Sequence, residues 1–515
     1  MLSLIHHSFL TAFVLVLGLT LTGCADEHSG PSPVKIAELP DLPEAKKSAT
    51  LPRQKELPPR EITLALVGEV RGEIEPCGCP TLPFGGFERR ATLLNRLRSQ
   101  GPGPLFHIDA GDTLVKGFST KREDKVRTRA LEILRLSEMV GVDAWVVGPS
   151  DLVALSPRDL QRQAGPSRVS ATWTDETGAL LLKPSIILER DGLRLGVIGL
   201  SAAPPAESGL LMKDPTTATQ EALSALPDDL DMVIAVGSIA DNKAQDIAAS
   251  VTGLTAVFTT RGVVYEEPRV TESGTVIIET PDRGRYLQVL HARLGSTSDA
   301  PLSLSPSPPT WRARLAATRR GEPDKLEEDG RGRNLGLVST IPLSADLDQK
   351  SEITDRLDRY RDARLVAASE RAAASEPHEI RYASSGGCVS CHSNEFARWA
   401  LTDHAKAWLA LVKRGETKNP ACVSCHTTAF GEPGGLGELT MPNIRKFKGV
   451  QCEMCHGPLA GHPSDSRTQA HAVTEQKCLT CHDEANSPDF DYETYLRRAS
   501  CQGGAPALVP RPHQE

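Results

Sequence analysis

Ile62-Thr63-Leu64-Ala65-Leu66-Val67 is an apolar run interrupted only by Thr63. A run this short, rich in aliphatic residues, reads as a β-strand buried on both faces. The signature returns at Leu105-Phe106-His107-Ile108, Ala144-Trp145-Val146-Val147, Leu195-Gly196-Val197-Ile198-Gly199, Met232-Val233-Ile234-Ala235-Val236, Ala256-Val257-Phe258 and Val276-Ile277-Ile278. Helical patterns stand between several of them, as at Glu88 to Ser99 and Arg127 to Val140. Short apolar strands alternating with helices predict a layered α/β domain over residues 59–295.

Outward from this domain the composition changes. The chain has 515 residues, long enough for two or three domains. Its net charge of −8 is mild for that length and gives nucleic acid no reason to bind. Aromatic residues make up only 4 %, so its cores must be aliphatic or filled by something other than protein. At the N-terminus, Phe9 to Thr22 is too short an apolar run to span a bilayer, and it ends in Leu21-Thr22-Gly23-Cys24. This resembles a bacterial lipoprotein signal over 1–23, with Cys24 as the lipidated residue. The n-region departs from the pattern, having His6 and His7 but no Lys or Arg, so an ordinary cleaved signal is the alternative. Either reading places the mature chain on the periplasmic side of a bacterial membrane, lipid-anchored or secreted.

Residues 24–58 read as a tether and 296–335 as a Pro/Ser-rich, then charged, linker. Leu337 to Leu343 predicts one more strand. Asp346 to Ser375 predicts a long connecting helix with Ile353, Leu357 and Tyr360 on one face. Residues 378–486 have few apolar runs, and 487–515 is a Pro-rich tail.

The 378–486 segment carries four Cys-x-x-Cys-His motifs: Cys388 to His392, Cys422 to His426, Cys452 to His456 and Cys478 to His482. About 0.01 such motifs are expected by chance from 12 Cys and 14 His. Two thiols so spaced reach two edges of one porphyrin as thioethers, and the adjacent His reaches its iron. The motifs therefore predict four c-type haems on Cys388, Cys391, Cys422, Cys425, Cys452, Cys455, Cys478 and Cys481, with proximal His392, His426, His456 and His482. Zinc would need four ligands converging from paired motifs and has no use for a His after every second Cys. His378, His404, His462 and His471 are the spare candidates for the distal position. Met441 and Met454 are alternatives, although Met454 lies inside a motif and is expected to point away. His404 is expected on a continuous helix from Phe396 to Val412, sharing a face with Trp408 and Val412.

Three stretches carry a family resemblance: Trp399-Ala-Leu-Thr-Asp-His404-Ala-Lys-Ala, Asn419-Pro-Ala-Cys422, and Gly449-Val-Gln-Cys452 through His456-Gly-Pro-Leu-Ala-Gly-His462. With them the segment resembles the cytochrome c-554-like tetrahaem family. The resemblance implies a small, mostly α, loop-rich multihaem domain, His404 at a distal position, and one iron that can be left five-coordinate.

A second resemblance rests on Ile62 through Val67-Gly-Glu69-Val-Arg71-Gly72-Glu-Ile-Glu-Pro76, Gly85-Gly86-Phe-Glu-Arg89-Arg90, Asp109-Ala-Gly111-Asp112, Gly148-Pro-Ser-Asp151 and Leu195-Gly-Val-Ile-Gly199-Leu. Residues 61–294 thereby resemble the 5′-nucleotidase branch of the calcineurin-like metallophosphoesterases, a β-sandwich flanked by helices. Active members hold two metals. Measured against that pattern, Glu69 and Arg71 stand for Asp and His, and Asp112 keeps the bridging place. Pro149 and Ser150 replace Asn-His, Ser238 replaces the next His, and Arg261 and Val263 replace the closing His-x-His. Glu69 and Asp112 alone are too few for a dinuclear site, and Arg71 or Arg261 is expected to reach toward them. Cys77-Gly78-Cys79 follows the first strand and is a candidate thiol redox pair, with Cys501 as an alternative disulfide partner.

The expected function is an extracytoplasmic, lipid-anchored tetrahaem cytochrome. It would transfer electrons to redox partner proteins, with a catalytically inactive phosphoesterase-like domain for docking or thiol chemistry. The alternatives are a haem redox enzyme acting on a small nitrogen or sulfur species at an open iron, and a surviving metal-dependent phosphohydrolase.

Overall fold

A computed structural model describes residues 60–76, 83–101, 103–115, 123–162, 164–262, 267–281, 283–295, 301–304, 334–374, 381–465, 468–483, 486–487, 489–499 and 501. Cys24, Cys77, Cys79, Val263 and His378 lie outside the described residues, as does the side chain of Arg261.

Two sheets stack face to face. The first runs β14 (Leu302–Leu304), β15 (Asn334–Pro342), β13 (Tyr286–Leu294), β1 (Arg60–Val67), β2 (Leu105–Asp109), β3 (Ala144–Val146) and β4 (Ser167–Val169). The second runs β11 (Arg269–Val270), β12 (Val276–Pro281), β10 (Ala256–Gly262), β9 (Met232–Gly237), β7 (Leu193–Leu200) and β6 (Ser185–Arg190). β5 (Trp173–Thr174) and β8 (Leu211–Met212) form a small separate pair. β1 lies parallel to β2 and antiparallel to β13.

The period of two along β1 divides its side chains between two cores. Ile62, Leu64 and Leu66 meet Phe106, Ile108, Leu195, Val236, Phe258 and Ile278 between the sheets. Ala65 and Val67 face outward, toward helices α1 (Phe87–Gln100), α2 (Glu123–Met139) and a long C-terminal helix. After α3 (Pro157–Arg162), helices α4 (Pro215–Ser224) and α5 (Asp241–Ser250) cover the far side of the second sheet with Ala218, Ala222, Ala244, Ile247 and Ala248. The result is an α/β/β/α sandwich, the fold class the strand-helix alternation implied.

Each quoted apolar run lies in a strand, except that Val147 follows the end of β3. The strand expected at Leu337 to Leu343 is β15, and it pairs antiparallel with β13, so the first sheet takes up chain from beyond the linker. The long helix, α6 (Glu352–Ala373), starts later than its charge pattern suggested because Ser351 caps it, Ser351 N donating to Thr354 Oγ1 (3.0 Å). Ile353 and Leu357 are buried against the α1 and α2 side, as the spacing implied. The other end of α6 touches the C-terminal segment: Arg371 Nε donates to Gly431 O (3.4 Å), and Gly434 N donates to Ala372 O (3.0 Å).

Among the described residues no helix is long and apolar enough to cross a membrane. The C-terminal segment consists of short helices and turns around one small apolar cluster: Trp408, Leu411, Val423, Leu436 and Phe447.

Candidate functional site

In the first motif His392 N donates to Cys388 O (2.9 Å), and in the fourth His482 N donates to Cys478 O (2.9 Å). These are helical bonds, so the His lies one turn beyond the first Cys and on the same face. The second motif lies on the helix Pro420–His426, capped by Asn419 Oδ1 accepting from Ala421 N (3.0 Å), and the third on Cys452–His456.

Hydrogen bonds at Nδ1 orient the motif imidazoles. His426 Nδ1 bonds Ala407 O (2.8 Å), and His456 Nδ1 bonds His471 O (3.2 Å). A carbonyl only accepts, so the proton is on Nδ1 and Nε2 keeps its lone pair for a metal. His482 Nδ1 bonds Ser487 Oγ (2.8 Å). Burial, then the neighbouring His482, lowers the pKa of His404, and burial does the same for His482, favouring the neutral, ligating form.

Two pairs of imidazole rings are close neighbours. His404 and His482 have centroids 5.9 Å apart, and His392 and His462 6.5 Å apart. Two imidazoles on opposite faces of one metal, each bonded at about 2 Å, place their ring centres about 6 Å apart. The residues therefore fit an iron between each pair. The eight motif thiols are free sulfurs at the surface or partly buried, and burial pushes Cys422 and Cys452 up to about 12 and Cys455 up to about 11. Among the described residues no three His, Cys, Asp or Glu side chains converge as a metal-ion site.

One expectation fails. The helix drawn from Phe396 to Val412 is broken into Ser393–Leu401 and Ala407–Arg414, and His404 lies in the turn between. Thr402 Oγ1 donates to Trp399 O (2.6 Å), ending the first helix, and the His404 carbonyl accepts from Val450 N (2.9 Å) instead of continuing the ladder. Val412 is exposed, so the inferred apolar stripe does not form, yet the turn is what aims His404 at His482.

His471 lies along the backbone of His456, its N donating to His456 O (2.8 Å) with its ring against Gly457. Among the described residues no imidazole ring stacks on His426 or His456. Met454 Sδ is turned to Ala429 N (3.3 Å), and Met441 is exposed. Cys501 is a free thiol beside the third motif.

The α/β domain assembles its own cluster at the carboxyl ends of β1 and β2, where sheets of this kind place ligands. Glu69, Arg71 and Asp112 all have left-handed backbone (φ 43°, 50° and 53°), costly for side chains with a Cβ. Their loops are laced together: Glu69 N donates to Gly111 O (2.8 Å) and Arg71 N to Asp112 O (2.9 Å). Arg71 Nη2 contacts Glu69 Oε2, so one of the two expected arginines does reach toward Glu69. Asp112 Oδ1 accepts from Ser150 N (2.8 Å), and Thr260 Oγ1 donates to Glu69 Oε1 (3.2 Å). Burial raises the Glu69 carboxyl against the pull of Arg71, and burial pushes Asp109 up to about 6. Burial, then Asp112, holds Asp151 well above the carboxylate range.

Sequence reasoning missed the joint between the two regions. Glu75 accepts from Arg361 Nε (2.5 Å) on α6 and from Asn419 Nδ2 at the cap of the second motif's helix. Nothing in local pattern links residues so far apart.

An α/β sandwich joined to a segment of neighbouring His pairs makes a chain in two parts. Residues 387–457 match the family described as Cytochrome c554 and c-prime. Cytochrome c-554 of Nitrosomonas europaea is 30 % identical over 130 residues, 22 % of this chain and 54 % of that protein, so the match spans about half of the relative. Among solved structures, the 5′-nucleotidase precursor of Thermus thermophilus is similar at TM-score 0.44 and 16 % identity, covering 69 % of this chain and 68 % of that one. Sulfate thiohydrolase SoxB of Thermus thermophilus is similar at TM-score 0.45 and 16 % identity, covering 61 % and 62 %. The calcineurin-like phosphoesterase YfkN of Bacillus subtilis is similar at TM-score 0.40 and 15 % identity, covering 59 % and 98 %. The C-terminal segment is cytochrome c-554-like, which implies c-type haem as its cofactor.

Proposed function

We propose that this chain is an extracytoplasmic electron-transfer protein with four covalent c-type haems, held at a membrane through lipidated Cys24 and serving protein redox partners. The observation that carries the reading is the pairing of motif histidines with distant ones, His482 with His404 and His392 with His462, at the spacing an iron between them requires. Two axial imidazoles close an iron to substrate and suit it to outer-sphere electron transfer. In each pair the chain supplies one ring from a Cys-x-x-Cys-His turn and one from a loop, and hydrogen bonds at Nδ1 hold several of the rings in place. The reading is tested by mass spectrometry and low-temperature EPR. Four haem masses should survive denaturation, and at least two irons should be low-spin. Haem extracted into acid-acetone, or zinc in its place, overturns it.

A second reading has its own observation. His426 and His456 face no second imidazole among the described residues, which favours an open iron acting on a small nitrogen or sulfur species at one of those two motifs. High-spin signals that shift on adding nitric oxide or sulfide support it, and four low-spin irons refute it.

The α/β domain is proposed to be hydrolytically inactive, serving to dock partners or to carry the Cys77/Cys79 thiols. Arg71 stands against Glu69, and Ser150 and Ser238 occupy positions where the resemblance calls for His. Nucleotide or phosphodiester turnover with Mn²⁺ or Zn²⁺ that vanishes in Asp112→Ala would contradict this.

A further inference from the structure

Glu453 stands between the two cysteines of the third motif and is only 2 % exposed. Its Oε1 accepts from Ala383 N (2.9 Å) and Leu459 N (2.9 Å), and its Oε2 accepts from Ser384 N (2.8 Å). Both oxygens act only as acceptors, as a carboxylate does. Among the described residues no Lys, Arg or His pairs with it. On the other side of Cys452, buried Gln451 accepts from Ser385 N (2.7 Å) at Oε1 and donates to Lys446 O (2.8 Å) from Nε2. The flanks of Cys452 thus bind the backbone N–H groups of Ala383, Ser384 and Ser385, the three residues that lead into the first motif's helix.

We propose that Glu453 is a positioning residue that locks the first haem motif to the third and holds the potentials of those two haems below the other two. The locking follows from its three bonds to the backbone. The tuning follows from charge: oxidation takes one electron from iron and leaves one more positive charge at the haem. A buried carboxylate beside both motifs, with no paired cation among the described residues to offset it, stabilises that oxidised state.

The inference rests on the four-haem reading, and the test separates the two. In a potentiometric titration of the whole protein with dithionite and ferricyanide, Glu453→Gln should raise two of the four midpoint potentials. The expected size is about tenfold in the reduced-to-oxidised ratio at a fixed potential, or about 59 mV for one electron. Glu453→Asp keeps the charge but shortens the reach, so it should keep the potentials and lower thermal stability. Four haems with unmoved potentials in Glu453→Gln, an equal shift of all four, or the same shift in Glu453→Asp overturns the proposal. Fewer than four haems in the unmodified protein breaks the underlying reading instead. If Glu453→Gln does not mature, the unmodified protein decides. The haem whose low-spin signal is lost in His462→Ala must be one of the two with lowest potential, and a place among the two highest overturns the proposal.

Discussion

The α/β sandwich and the C-terminal segment solve the same problem in opposite ways. The sandwich closes three apolar cores with its own side chains, and Ile62, Leu64, Leu66, Phe106 and Phe258 are essentially without solvent contact. The segment from 381 to 501 gathers one cluster of five buried apolar residues. It leaves Leu401 71 % exposed, with Leu409, Val412 and Met441 more than half exposed. A protein-only core of that size cannot offset the entropy of ordering so much chain. On the proposed reading, haem plates bonded at the motif sulfurs would supply the apolar volume that the side chains of this segment leave open.

The largest expected effect breaks the comparison directly. Serine in place of all eight motif cysteines should leave the sandwich with its own cooperative unfolding transition and abolish hydrogen-exchange protection across the C-terminal segment. Full protection of Ala407–Arg414 and Pro420–His426 in that variant would show that the segment folds without its cofactor.

Next in size are single irons. His404→Ala and His462→Ala should each convert one low-spin iron to high spin in EPR with no change in haem count, and the double variant should convert two. The pairs His404–His482 and His392–His462 share no residue, so additivity is expected. A single variant that alters two irons, or neither, refutes the pairing.

How far each region could be read follows the same divide. In the sandwich, runs such as Ile62 to Val67 expose their strands because both faces are apolar. β13 escaped because Gln288, His291 and Arg293 interrupt its run, although it sits beside β1 at the centre of the sheet. In the C-terminal segment the Cys-x-x-Cys-His motifs are legible from covalent chemistry alone, and the distal pairing is not. The helix breaks at His404, whose carbonyl accepts from Val450 N (2.9 Å), far along the chain, and from Ala407 N (3.3 Å). Arg71 against Glu69 was readable from the residue types, whereas Glu453 and Glu75 act through contacts no local pattern carries.

The carboxylate cluster gives a third prediction, confined to the sandwich. Asp109 is fully buried, bonded at Oδ1 by Gly111 N (3.1 Å) and Thr113 Oγ1 (2.5 Å), with Oδ2 unpartnered among the described residues. Its carboxyl is raised from 3.8 to about 6 by burial. A raised acid holds its proton in the folded state while the unfolded chain has lost it. The stability it contributes is therefore fully present below pH 3.8 and lost as pH rises to about 6. The loss amounts to about 3 kcal/mol. Denaturant titrations of wild type and Asp109→Asn should diverge across that window, with the variant gaining on wild type as pH rises. Parallel curves would mean that burial does not shift the Asp109 carboxyl between the folded and unfolded states.

The smallest effect sits at the joint between the two regions. Glu75 bridges Arg361 of α6 and Asn419 at the second motif. Its side chain is largely shielded, so each hydrogen bond to it is stronger than a surface pair and still modest, about 1 kcal/mol net. Glu75→Ala removes both bonds and should destabilise the C-terminal segment relative to the sandwich by about 1–2 kcal/mol. The readout is faster exchange at Ala421 to His426 with unchanged exchange in β1 and β2. Glu75→Gln can still accept from one of its two partners and should fall between. Asn419 also bonds Glu416 Oε2 (3.1 Å), which keeps the helix cap in place when Glu75 is lost, so the haem at Cys422 and Cys425 should remain attached. If exchange at the second motif does not change, the two regions are held together by α6 packing on Gly431 and Gly434 and not by this carboxylate.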